Sequence, residues 1–526
     1  MRVATERGRI FLLLTALALP GTARAEGEPL SAIDWLSRSV VTPAAMVPHS
    51  LAVPGARPGE PPVSSGVTNE SVSVMSLDRP PANALGLVPV ARTGLPRDLW
   101  GDTPEAQLAA ALRKERLDTL PSVQAFVMEL LLAELDPPRV PAPGGHNVLF
   151  LARVDRLLDM GALDQAMALL EQADATDPEV FRRRFDVALL LGEENKACEI
   201  MEKTPRLAPS FPARIFCLAR SGDWQTAALS FGTGRALGQI DPETADLLER
   251  FLEPELADGA EDLPPPSRPS PLVFRMMEAI GQPMSTNSLP VAFAQADLRS
   301  NTGWKAQLEA AERLTRMGVL DPNQLLGLYT QDKAAASGGV WDRVTLISDF
   351  DTALNENDAG RVARLLPAVW DAMQAQELEP ALAAIYGERL AAMDLPEEAG
   401  AIAFRLGLLS AGYEKVARAH VPADADEQLL CGIAQGATAA VPAQDQLGLM
   451  LKRVFDTPAT TVPAPYAEMM PNRQGEALLA AVDDITEGAK GDYRRVESGL
   501  DLMRLNGLEE VARRAALEMV ILERNG

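Results

Sequence analysis

Apolar residues recur along most of this chain at intervals of three and four, the period of a helix that buries one face. The pattern predicts helices over 104–116, 122–135, 146–160, 162–174, 178–191, 193–204, 211–221, 223–237 and 242–255. A second series is predicted over 271–281, 289–299, 304–317, 322–330, 341–356, 360–376, 379–393 and 396–410. It continues over 413–420, 425–434, 444–455, 474–488, 492–505 and 508–523. Start signals accompany several of these. Thr103 reads as an N-cap, with Pro104 at the first helical position and Glu105 in the first turn. Asp177-Pro178 and Asp241-Pro242 repeat the cap-then-proline start.

Within the first series the positions repeat. Gly161, Gly192 and Gly222 lie 31 and 30 residues apart, and each is followed five residues later by alanine: Ala166, Ala197 and Ala227. Nine residues after each glycine stands a large apolar residue, Leu170, Met201 or Phe231; Pro178 and Pro209 follow the first two hairpins. Glycine ends one helix, alanine lets the next pack closely, and proline restarts the chain. Gly412–Ala417 and Gly507–Ala512 repeat the spacing; Asp358–Ala363 and Asp394–Ala399 read as degenerate copies.

This array resembles the tetratricopeptide repeat family. Gly161, Ala166, Leu170, Ala173 and Pro178 match its small, large and proline positions in one hairpin. The next keeps Gly192, Ala197, Met201 and Pro209 but has Thr204 where a small residue is preferred; the third departs at Gly234. The period is shorter than the family's ~34 residues, and the match is clear only over about 155–242. The resemblance implies an all-α fold: a right-handed superhelical stack of antiparallel hairpins whose groove binds proteins or peptides.

Composition changes elsewhere. Residues 1–25 have the form of a signal peptide: Arg2, Arg7 and Arg9, then an apolar stretch from Ile10 to Leu19, then Ala23-Arg24-Ala25. The mature chain is expected to begin at Glu26, the alternative being an uncleaved anchor. Residues 26–102 are rich in proline, serine, glycine and valine and are expected to form an extended or disordered arm. Two apolar islands stand in it. Ile33, Trp35 and Leu36 form a candidate partner-docking turn, with self-docking as the alternative. The strip from Leu85 to Trp100 is expected to dock on the body it precedes. Helical repeats are expected over 103–256, a proline-rich linker over 257–270 containing Pro264-Pro265-Pro266, and a second helical-repeat region over 271–526.

The full chain carries a net charge of −24; residues 1–25 hold four arginines and one glutamate, so the mature product is near −27. Such a charge repels nucleic acid and anionic headgroups and favours solubility and basic partners, the plainer reading being that acidic helix surfaces only keep the chain soluble. No later segment approaches the ~20 apolar residues of a membrane span. Arginine far outnumbers lysine, a bias typical of GC-rich bacterial genomes, so export here reads as periplasmic. Cys198 and Cys217 lie on adjacent helices, where an oxidising compartment leaves open a disulfide or two buried thiols. Cys431 has no evident partner.

Little of the sequence reads as chemistry. The histidines are His49, His146 and His420, with no metal-ligand spacing, and His420 reads as a helix C-terminal cap. Nucleophile-elbow, phosphate-loop and dinucleotide motifs are missing from the sequence. Thr302-Gly303-Trp304-Lys305 reads as a helix start. No cofactor, metal ligand or catalytic residue is assigned. Trp304, Trp341 and Trp370 read as packing anchors; in a glycan-cleaving enzyme they would line a cleft beside two carboxylates. The expected function is a non-enzymatic periplasmic scaffold binding protein partners of a cell-envelope machine, such as a flagellar motor or secretion system. An all-helical periplasmic enzyme acting on peptidoglycan or another glycan is the alternative.

Overall fold

The computed structural model describes residues 35–36, 80–143, 147–257 and 261–522. The signal-like segment, Glu26, Ile33, His49 and His146 lie outside the described residues. Within them the protein is all-helical, without β-strands, and has two isolated bridges, Val88 with Ala133 and Pro104 with Val140.

The first helices are α1 (Val90–Thr93), α2 (Glu105–Lys114), α3 (Pro121–Leu132), α4 (Val148–Asp159), α5 (Leu163–Gln172), α6 (Pro178–Leu191), α7 (Glu194–Lys203) and α8 (Phe211–Arg220). Next come α9 (Trp224–Ala236), α10 (Pro242–Leu252), α11 (Pro271–Ala279), α12 (Ala294–Asp297), α13 (Trp304–Arg316), α14 (Pro322–Tyr329), α15 (Val340–Asn355) and α16 (Ala359–Gln374). The last are α17 (Glu379–Ala391), α18 (Glu397–Leu409), α19 (Tyr413–Ala419), α20 (Ala425–Gln435), α21 (Gln446–Asp456), α22 (Gln474–Gly488), α23 (Tyr493–Leu505) and α24 (Glu509–Ile521). Most start and stop within two residues of the expected bounds. The predicted helix over 289–299 is instead a 3-10 turn, Val291–Phe293, running into the short α12. Asp177 and Asp241 cap α6 and α10, accepting from the backbone amides of Glu179 and Val180 and of Thr244. Thr103 does not cap α2. Pro104 holds the N-cap position, and the buried Thr103 hydroxyl finds no hydrogen-bond partner among the described residues.

One turn recurs. Gly161, Gly192, Gly222, Gly238, Gly281, Gly318, Gly436 and Gly507 all end helices with positive φ. After each, the next residue's amide donates to a carbonyl five residues back: Ala162 to Leu157, Glu193 to Ala188, Asp223 to Leu218 and Val319 to Leu314 are examples. This closes the orphan carbonyls of the helix end, and only a left-handed residue permits it. Asn357 and Glu377 occupy the same position without being glycine, with φ of 54° and 56°. The degenerate copy at 358 is thus one residue off: the turn residue is Asn357, and Val362, five later, is buried. Gly412 has φ −86° and does not make this turn. Ala166, Ala197, Ala227 and Ala512 are fully buried. Gly234 is required by close packing, since a Cβ there would meet the Phe211 ring at 2.4 Å.

Consecutive helices pack in pairs, as in α4 with α5, α6 with α7, α8 with α9, α15 with α16 and α17 with α18. The proline run does not divide the buried side chains. One contiguous apolar cluster includes residues on both sides of it, and α11 packs on both α6 and α10. Residues 80–102 also belong to the body. Leu95, Leu99 and Trp100 are buried, and the amides of Leu87 and Val88 donate to the Leu132 carbonyl. Buried Arg153 gathers the carbonyls of Leu131, Ala133 and Leu85.

The two ends of the body meet. α24 packs on α3, and α22 on α2. Glu518 accepts from the Ser122 amide at 2.9 Å and its hydroxyl at 2.7 Å, so the last helix caps the start of α3 from 396 residues away. Gly475 N–H donates to Leu99 O, and Asp102 N–H to Asn472 O. In an open stack each hairpin touches only its neighbours; these contacts are additional to that pattern.

Candidate functional site

α9 differs from the other hairpin helices. It fully buries only Ala227 and Gly234, and Phe231 packs half-buried against the core. Trp224 and Leu229 on its outside and Leu237 at its C-cap are 49%, 73% and 66% exposed. Residues 224–234 contain no charge, in a chain where 23% of residues are charged. Ala228, Gly232 and Ala236, all exposed, continue this surface along one side of the helix. Trp224 rests partly on Phe251, with ring centroids 6.3 Å apart. Gln225, Thr233 and Arg235 are exposed on the same helix, so the surface is mixed, uncharged over 224–234 and studded with large exposed apolar side chains; such a grouping is a candidate interaction surface.

A second feature lies where the start of α3 meets the ends of α13 and α16 and the start of α17. It is a cleft of about 420 Å³, within the range of ligand sites. Met128, Met160 and Met317 line it together with Leu378 and Ala125. Gln124 Nε2 points to Met317 Sδ at 3.7 Å. Asp118 and Glu377 stand at its rim, with side chains 88% and 52% exposed. Arg316 is engaged: its Nε donates to the Gln376 carbonyl at 2.8 Å, and Glu377 lies 3.9 Å from it.

Charge is also buried beside this region, between α2, α4 and α6. Arg183 forms a bidentate pair with Asp155 and a further bond to Glu179. Burial pushes the Glu115 carboxyl up to about 7, opposed by Arg156 and reinforced by Asp483. Burial likewise raises Asp159 to about 6, against Arg156. Carboxyls with raised pKa are candidate general acids, but neither lines the cleft, and no tryptophan does. Trp304 and Trp341 pack edge to face at 5.0 Å, Trp304 Nε1 donates to Leu328 O, and Trp370 is buried.

The other sequence candidates are placed as follows. Trp35 and Leu36 are buried in the protein's own apolar cluster, Trp35 edge-on to Phe293 at 5.5 Å. Cys198 and Cys217 form a disulfide linking α7 to α8. Cys431 is free and buried, and burial raises its thiol to about 11. His420 sits at the C-terminal cap of α19, where its ring stacks on Phe404 and Nε2 meets Glu427 at 2.8 Å. Among the described residues no cluster of three or more His, Cys, Asp or Glu could hold a metal, and no helix is long and apolar enough to cross a membrane. Sequence reasoning placed α9 but missed its exposed outer surface, and it missed the cleft. The uncharged run 224–234 was the available signal for the first. The second depends on helix ends brought together by folding.

No family model, curated protein or solved structure matches this chain.

Proposed function

We propose that the protein is a non-enzymatic scaffold of the bacterial cell envelope, exported to the periplasm, that holds protein partners on a stack of tetratricopeptide-like hairpins. The observation that carries this reading is the outer face of α9. Burying a leucine or tryptophan side chain is worth roughly 1.5–3 kcal/mol, and α9 leaves Leu229, Leu237 and half of Trp224 in water. Partner binding recovers that free energy. Tryptophan at the edge of such a patch is a frequent anchor of binding energy. The acidic surface keeps the protein soluble and directs it toward basic or neutral partners.

The test is in-cell crosslinking followed by affinity purification of the full chain, comparing the native protein with Leu229→Glu. A charge in the middle of the uncharged face should remove specific crosslinked partners while the circular-dichroism spectrum and melting temperature stay unchanged. Recovery of the same partners by Leu229→Glu would remove α9 from the interface. Recovery of none by the native protein would sink the scaffold reading.

A further inference from the structure

The run Pro264-Pro265-Pro266 reads in sequence as a spacer between two helical regions, and the fold leaves it no such task. α10 and α11, the helices on either side, pack directly on each other. Neighbouring helices in bundles are joined by ~2–8 residues, whereas the connection here runs from Leu252 to Pro271. Connections longer than packing demands are commonly binding loops.

The strip is pinned at both ends. Arg250 Nη1 donates to the Glu261 carbonyl at 2.7 Å, the Leu263 amide to Gln282 Oε1 at 3.1 Å, and Gln282 Nε2 to Asp262 Oδ1 at 2.9 Å. Leu263 packs against the apolar cluster. Downstream, Pro269 is buried, and the Ser270 hydroxyl accepts from the Val273 amide to cap α11. Between these pins Pro264 and Pro265 are exposed and Pro266 is half-buried.

Stereochemistry fixes the shape of what is exposed. Proline holds φ at about −65°, and a residue that precedes proline is turned toward extended or polyproline II backbone. Leu263, Pro264 and Pro265 all precede proline. The three prolines have no N–H, and the carbonyls of Leu263 through Pro266 accept no backbone amide among the described residues. The strip therefore shows solvent a ridge of apolar rings beside carbonyl oxygens without backbone partners. Flat aromatic faces suit the rings, and an indole N–H or phenol O–H suits the carbonyls. A pinned strip of fixed φ also loses little freedom on docking. Its position agrees with this use. Phe251, in the last turn of α10, carries Trp224 of α9, and the adjacent Arg250 holds Glu261 at the start of the strip.

We propose that residues 263–266 are a polyproline II ligand strip for a partner protein whose groove is lined by tryptophan or tyrosine. This rests on the scaffold reading, and it names a second contact and the chemistry of the partner that takes it.

The test places the photo-crosslinker p-benzoylphenylalanine in the full chain at exposed Ser267, which leaves the prolines intact, and separately at Leu229. After irradiation in cells the crosslinked peptides are sequenced. From position 267 they should fall on one partner, beside tryptophan or tyrosine side chains. That partner, purified, is then titrated against the full chain. Pro264→Ala, Pro265→Ala and Pro266→Ala together should weaken binding at least about tenfold, with the melting temperature unchanged. A synthetic peptide of residues 261–271 should compete for the partner, and its triple-alanine counterpart should not, an arm independent of how the variant chain folds. Crosslinks on segments without aromatic residues would overturn the proposal. Equal binding by the triple variant would do so too, as would failure of the native peptide to compete. Capture from position 229 with none from 267 removes the strip and leaves the scaffold standing. Capture from neither position sinks both readings.

Discussion

Individual residues carry two costs that serve no packing purpose. The first is the raised pair of carboxyls beside Arg156. Glu115 moves from the ordinary 4.5 to about 7 and Asp159 from 3.8 to about 6, both through burial. A carboxyl whose folded pKa is raised binds its proton more tightly folded than unfolded. Its penalty is absent at low pH, grows as pH rises from the unfolded to the folded pKa, and is constant above. Stability should therefore fall between about pH 4 and pH 7. Each carboxyl should contribute roughly 2 kcal/mol to that fall, less than the full linkage value because both stay partly solvated. Glu115→Gln should flatten the curve, as read from urea midpoints across that range. An unchanged slope would mean Glu115 is ionised and solvated in the folded state. The second cost is Glu377. Glu377→Gly should raise stability by about 1 kcal/mol by relieving the left-handed strain. A fall in melting temperature would show that the glutamate stabilises its turn.

Helices were the most legible level, for reasons visible in particular elements. Pro178 behind Asp177 and Pro242 behind Asp241 are local signals, and they mark the starts of α6 and α10 correctly. Gly161, Gly192 and Gly222 end their helices because the left-handed turn is a property of one residue. Legibility fails where the deciding partner is distant. Thr103 looked like a cap, yet Pro104 takes that position. The start of α3 has no cap of its own, because Glu518 supplies it. Glu377 was invisible because no propensity places glutamate at such a turn. The cleft was equally hidden, being assembled from ends of helices remote in sequence. The repeat register gives a prediction at this scale. Ala197 is buried within the α6–α7–α8 packing, and Ala197→Phe should overpack it by ~1–3 kcal/mol or more. An unchanged melting temperature would contradict the buried position.

The contact between the ends distinguishes the whole molecule from a simple stack. In a linear array stability is a sum over neighbours, and terminal repeats can fray without consequence for the middle. Here α24 lies on α3, α18 and α20, and one apolar cluster includes side chains from Leu95 near one end to Leu522 at the other. Glu518 adds a charged acceptor for two donors of Ser122, and Thr119 meets Thr486 hydroxyl to hydroxyl at 2.6 Å. Removing Glu518 leaves a buried helix start unsatisfied, at ~1–3 kcal/mol. Because that cap joins the last helix to the third, its loss should be felt at both ends. Glu518→Ala should lower the urea midpoint of the whole body, and hydrogen exchange should quicken in α2 and α3 as much as in α22 to α24. A linear stack would respond differently, with fast exchange confined to the C-terminal helices and α2 and α3 unaffected. That outcome would mean the closing contact is incidental and the hairpins are stabilised by their neighbours alone. The expected one makes the closure a stabilising element.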